Sequence, residues 1–229
     1  MLPGKREDSQ FTIMFQRLFG EILNQRSFLE DPYTFRGIRD YDRSDNMHSI
    51  NWKATAKHNA LMVNMHERVS EQRVKLMLNL ETNTMIKTEE LQEIAIELTS
   101  SIAGKLIQEN IPVQLTSNGL DVITKDYGMI ESGCTYHHLL AIDRYLARLS
   151  VSGGMDAFLN MVEAETKQND RNTAYVIISP YFKPDLIDKL DSMAEQGLSV
   201  QMVVPYYDIQ ELEGRRSYMH TLEVKLTDA

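Results

Sequence analysis

From residue 73 onward, short apolar runs alternate with stretches in which apolar residues recur every three or four positions. Val74–Leu80 (VKLMLNL) is almost continuously apolar, the pattern of a strand covered on both faces. Leu91, Ile94, Ala95, Leu98, Ile102 and Leu106 then recur at helical spacing up to about Asn110. Thr88 stands where it can cap that helix, with Glu89 and Glu90 in the first turn, where the helix dipole favours acids. Pro112–Ser117 predicts a second strand, and Asn118-Gly119 ahead of Val122–Lys125 predicts a hairpin turn. Leu139, Ile142, Leu146 and Leu149 mark one face of a helix over residues 135–149. Ser152-Gly153-Gly154 breaks it, and Phe158, Leu159 and Val162 begin another. Ala174–Ser179 predicts a buried strand. Pro184 opens a helix through Leu186, Ile187, Leu190 and Ala194, and Gly197 closes it. Val200–Pro205 predicts the next strand, and Leu222–Leu226 a last one at an edge. Strands alternating with helices imply an α/β fold, a doubly wound, mostly parallel sheet flanked by helices.

Residues 1–72 lack this alternation and read as an irregular N-terminal lead-in packed on a main α/β domain at 73–229. Phe28–Tyr41 contains a turn at Asp31-Pro32 and a second break at Gly37. Asn51–Lys57 predicts a short helix and Leu61–Met65 a strand. The first ten residues are polar and are expected to fray.

Composition narrows the function classes. The 229 residues are 42% hydrophobic and 25% charged, ordinary globular values that exclude wholesale disorder and collagen-like or coiled-coil chains. The net charge is −9, and it is uneven: residues 1–75 carry 12 basic and 10 acidic side chains, residues 76–229 carry 12 and 23. An acidic main domain argues against nucleic acid as a partner, which selects a basic stripe. No apolar stretch approaches the roughly 18–20 residues that span a bilayer, so the chain as given reads as soluble. The lone Cys134 excludes an internal disulfide. Cys134, His137 and His138 are spaced like half a zinc site, but four ligands are needed and no second Cys exists. Phosphate-cradling Gly-rich loops and nucleophile elbows are absent from the sequence.

One stretch is more specific. Asp31–Val63 carries Arg39-Asp40-Tyr41, then Asp45, then the box Asn51-Trp52-Lys53-Ala54-Thr55-Ala56-Lys57, followed by a strand. This pattern resembles the DUF58 family, in which such a segment leads into a von Willebrand factor A-like domain. The likeness spans about residues 31–205. It implies two transmembrane helices ahead of this region and a location at the cytoplasmic side of the cell membrane in the full-length protein. It also implies a partner, a MoxR-type AAA+ ATPase, in assembly or chaperone-like work. Ser44, His48, Asn51 and Lys57 depart from the family pattern.

The departures extend to the metal site that the resemblance implies, Asp-x-Ser-x-Ser after the first strand of the main sheet. Here that stretch is Asn79-Leu80-Glu81-Thr82-Asn83, and no acid stands at Ser179-Pro180-Tyr181, where a second Asp is expected. A hard divalent cation selects oxygen ligands, usually with carboxylates among them, so the metal site reads as degenerate and no cofactor is expected. Asn79, Glu81, Asn83 and Ser179 would instead form a polar interaction surface at the strand ends, where open α/β sheets bind ligands. Trp52 reads as a buried packing anchor whose N–H finds a partner. Around it Arg39, Asp40, Asp45 and Lys53 read as an ion-pair network. The expected function is that of a non-enzymatic protein-interaction domain. The alternative is a metal-dependent (Mg, Mn or Ca) binding domain or hydrolase using Glu81.

Overall fold

The computed structural model describes residues 2–27, 35–42, 50–58, 60–66, 73–81, 88–150, 157–180, 184–207 and 215–224. In chain order the elements are α1 Ser9–Ser27, β1 Phe35–Asp40, α2 Trp52–His58, β2 Met62–His66, β3 Arg73–Leu78, α3 Thr88–Gln108, β4 Val113–Asp121 and β5 Tyr127–Gly133. Then follow α4 Tyr136–Leu146, β6 Leu149–Ser150, α5 Ala157–Gln168, β7 Thr173–Ile178, α6 Pro184–Glu195, β8 Ser199–Tyr206 and β9 Met219–Glu223. Two compact units result: Met1–Leu23 with Glu71–Ala229, and Asn24–Ser70. The predicted lead-in at 1–72 is corrected on this point, because its first 23 residues fold with the main unit.

The main unit holds a seven-stranded sheet in the order β5-β4-β3-β7-β8-β9, with β6 paired to β4. β3 runs parallel to β4 (Leu76 opposite Leu115) and to β7 (Leu76 opposite Val176). β8 and β9 continue the parallel array, whereas β5 and β6 run antiparallel to β4. The chain therefore builds outward from β3 to one side, then restarts at β7 and builds to the other.

The apolar run of β3 is continuous because both of its faces are covered, as predicted. Successive strand side chains point to opposite faces. Val74, Leu76 and Leu78 join one core with Phe11, Met14, Leu18 and Ile22 of α1, Leu98 and Ile102 of α3 and Ile142 of α4. Met77 joins the other, with Tyr175, Phe158 of α5 and Leu190 of α6. Lys75 shares this second face and stays buried only because it forms an ion pair with Glu165.

The helix ends follow the residues at them. Gly197 adopts φ +80 beyond α6, and the Leu198 N–H donates back to the Met193 carbonyl at 3.1 Å. Thr135 caps α4 by accepting from the His138 N–H at 3.2 Å.

Four expectations are corrected. Asn118-Gly119 is not a turn; both residues lie inside the nine-residue β4. Gly119 stands at a close approach there, since a Cβ on it would meet Leu80 Cδ1 at 2.8 Å and that side chain would have to shift. The turn comes later, where Asp121 Oδ1 accepts from the Ile123 N–H at 2.8 Å and Lys125 takes φ +59, so Val122–Lys125 is turn rather than strand. Gly37 sits within β1 at a register shift, not at a break. Residues 2–10 are held rather than frayed: the Arg6 N–H donates to Ser101 Oγ at 2.8 Å, its guanidinium to Glu97 at 3.2 Å, and Lys5 pairs with Asp143 at 3.4 Å. The turn at Asp31-Pro32 and the break at Ser152-Gly153-Gly154 lie outside the described residues.

In the second unit, β1 and β2 pair antiparallel and α2 lies next to β2 in sequence. Asn51 caps α2 by accepting from the Ala54 N–H at 2.9 Å. Among the described residues, Ile50, Ala54 and Val63 are its buried apolar ones.

Candidate functional site

The strand order of the main sheet reverses between β3 and β7, and their carboxyl ends are where a doubly wound sheet opens a crevice. The main chain brings the two ends together: the Asn79 N–H donates to the Ile178 carbonyl at 2.8 Å, and the Ser179 N–H to that of Val203 at 3.1 Å. The side chains then close the gap. Asn79 Nδ2 donates to Ser179 Oγ at 3.0 Å. Asn79 Oδ1 accepts twice, from Asn118 Nδ2 at 2.9 Å and from the Glu81 N–H at 3.0 Å. Asn118 Oδ1 accepts from the Leu80 N–H at 2.7 Å, and Gln92 Nε2 donates to the Leu80 carbonyl at 2.8 Å.

This network is buried. Asn79 is 1% exposed, Asn118, Gln92 and Ser179 0%, and Glu81 6%. The expectation of a polar surface at Asn79, Glu81 and Ser179 is therefore corrected: all three are buried, and Asn79 and Ser179 face one another. Asn83 lies outside the described residues. The structure does bring Asn79 and Ser179 together as the sequence predicted, and adds Asn118 and Gln92, which the sequence reading did not single out. Asn118 escaped because Asn-Gly reads as a turn. Its strand setting follows only from pairing β4 with β3.

The implied metal does not fit Asn79 and Asn118. A divalent cation at the strand ends needs acceptor oxygens with free lone pairs and negative charge. Both acceptor sites of Asn79 Oδ1 are taken, its Nδ2 presents donors, and Asn118 Oδ1 is held by the main chain.

The family-pattern residues lie in the other unit. Arg39 and Asp40 are exposed on β1, and Arg39 Nη1 donates to the Asp40 carbonyl at 2.9 Å. Tyr41 follows them, half-buried, and Asn51 is used as a cap. Lys53 and Lys57 are exposed, and Asp45 lies outside the described residues. Trp52 is 65% exposed, so the anchor reading is corrected: at the start of α2 the indole projects outward while Ala54 turns inward. Of the half-site residues, Cys134 is exposed and His138 Nε2 sits 2.7 Å from the Val113 carbonyl, which gives that ring a structural bond.

These features define an α/β domain with a mostly parallel sheet whose switch point is closed by neutral amide and hydroxyl groups. The family described as "Protein of unknown function DUF58" matches residues 37–212, and the chain belongs to that family. Among solved structures, the chain is similar to one titled "Crystal Structure of the SpRpn10 VWA domain", at 12% identity and a TM-score of 0.44, over 69% of this chain and 90% of that one. A comparison with curated proteins finds no match. Among the described residues, no helix is long and apolar enough to cross a membrane.

Proposed function

We propose that this chain is a non-enzymatic protein-interaction domain with a von Willebrand factor A-like sheet and no metal at its strand ends. In this reading it belongs to a membrane-associated protein, on the cytoplasmic side, that works with a MoxR-type AAA+ ATPase in assembly or chaperone-like work. The supporting observation is the mutual hydrogen bonding of Asn79, Asn118 and Ser179 at the switch point. It leaves Glu81 as the single carboxylate among the site residues named, too little negative charge for a hard divalent cation.

Thermal unfolding tests the metal-free part. A ligand at a hundredfold excess over its Kd that binds only the native state stabilises it by about 2.7 kcal/mol. The expected result is the same melting temperature in millimolar Mg²⁺, Mn²⁺ or Ca²⁺ as in EDTA. A concentration-dependent rise would overturn it and favour metal-dependent use of Glu81. Binding of a purified MoxR-type ATPase, with and without ATP, tests the partner; no binding in either state removes it.

A further inference from the structure

A cavity of about 220 Å³ lies between α1 and the last strand of the main sheet. Ile13, Met14 and Arg17 line it from the helix, and Tyr206, Thr221 and Leu222 from the sheet. Its size decides what it holds. Sites that enclose a whole small molecule are roughly 300–1,000 Å³, so this one takes a single side chain.

Among the described residues, the strand beside it is unpaired along one side: β9 pairs with β8 alone. The Met202 N–H donates to the Tyr218 carbonyl, and the Val224 N–H to that of Tyr206. In a parallel ladder this turns the main-chain groups of even-numbered β9 residues toward β8. Those of Thr221 and Glu223 point away from the sheet. An open edge of this kind is a template for one more strand.

The side chains around the edge select its occupant. Arg17 is exposed, lines the cavity and has no carboxylate partner among the described residues. Arg215 is exposed and donates to Thr221 Oγ1 at 3.3 Å. Among the described residues that line the cavity, Arg17 and Glu223 are the charged ones, and Arg215 adds a second guanidinium at Thr221 in a chain of net charge −9. Ile13 is 53% exposed above buried Met14 and Leu222, which gives the site an apolar floor.

We infer that the edge of β9 is a docking site for an extended acidic segment of a partner protein, which adds a strand to the sheet and seats one Asp or Glu side chain against Arg17. Main-chain bonds to Thr221 and Glu223 supply the pairing, and the guanidinium–carboxylate contact supplies the choice of sequence. The inference rests on the interaction-domain reading and names where the partner docks.

The test is selection of a phage-displayed library of random octapeptides on the intact chain. The enriched peptides are expected to carry Asp or Glu at one fixed position among β-branched residues. They are expected to bind the Arg17→Glu chain at least about tenfold more weakly, because an attraction becomes a like-charge clash. Arg17 is exposed, so this variant keeps its fold. Thr221→Pro removes one outward N–H without breaking the ladder to β8, and is expected to abolish binding. An empty selection, enrichment without a fixed acid, or equal binding to wild type and Arg17→Glu would overturn the proposal. So would a dimer of the chain that Thr221→Pro dissociates, since the occupant would then be a second copy. If the MoxR-type ATPase binds wild type and Arg17→Glu equally, the interaction reading stands and this surface falls. If acidic peptides bind at Arg17 and the ATPase does not bind at all, the surface stands and that partner falls.

Discussion

At the scale of single residues, Asn79 and Trp52 exchange the roles that their types suggest. The large aromatic is 65% exposed, and the small amide is 1% exposed. Asn79 bonds Ser179 and Asn118 and receives the Glu81 N–H, so truncating it removes three buried hydrogen bonds at once. Each unsatisfied buried group costs ~1–3 kcal/mol. Asn79→Ala is therefore expected to lower stability by about 3 kcal/mol or more, whereas Trp52→Ala is expected to stay within about 0.5 kcal/mol of wild type, as exposed substitutions do. Denaturant unfolding of the two variants side by side checks this. A larger loss at Trp52 than at Asn79 would mean that the network is dispensable and the indole is not.

At the scale of elements, β9 and α1 meet at a histidine. His220 is buried on β9, with Nε2 2.7 Å from Gln201 Oε1 on β8. Burial, together with the Arg17 guanidinium on α1, pushes its pKa below the ordinary 6.5. The folded state thus resists a proton that the unfolded state accepts. Stability is unaffected above about pH 6.5 and falls as the pH drops from there toward the depressed folded value. The melting temperature is expected to decline between pH 7.5 and 5.5, and His220→Gln, which stays neutral, is expected to flatten that decline. Identical slopes for the two proteins would assign the pH dependence elsewhere. The legibility of these elements differs for a physical reason. β3, β7, β8, α3 and α6 carry their own periodicity and end signals, and the structure has them where the pattern put them. α1 was legible too, in the stripe Phe11, Met14, Phe15, Leu18, Phe19 and Ile22, with Asp8 accepting from the Phe11 N–H at 2.8 Å as its cap, yet its polar approach masked it. β5 was not legible, because its side chains are mostly exposed and it is a strand by virtue of β4. The site was half legible: the strand ends located Asn79 and Ser179, but their burial depends on the register of three strands and on Asn118 crossing between them.

At the scale of the whole molecule, the N-terminal helix completes a core begun 51 residues later in the chain, since α1 ends its packed stretch at Ile22 and β3 starts at Arg73. Parallel neighbours such as β8 and β9 need a crossing connection, and in α/β folds that connection usually lays a helix on the sheet. Here Val203 of β8 and Leu222 of β9 share their core with Phe11, Met14, Leu18 and Ile22 of α1. The described part of the β8–β9 connection sends Tyr218 into the opposite layer. Stability of the main unit should therefore depend on a helix separated from its first strand by one helix and a two-stranded sheet. Leu18 is 0% exposed. Truncating a buried Leu to Ala costs ~2–5 kcal/mol through lost transfer energy and the cavity left behind. In a chain of this size each kcal/mol shifts the midpoint by about 2–4 °C, so Leu18→Ala is expected to lower the melting temperature by about 5–20 °C. Gln16→Ala, on the exposed side of the same helix, is the control and is expected to leave it unchanged. The transition should stay cooperative in both, because α1 and the sheet share one core. Wild-type melting in Leu18→Ala would show that α1 is an appendage and that the main sheet closes without it.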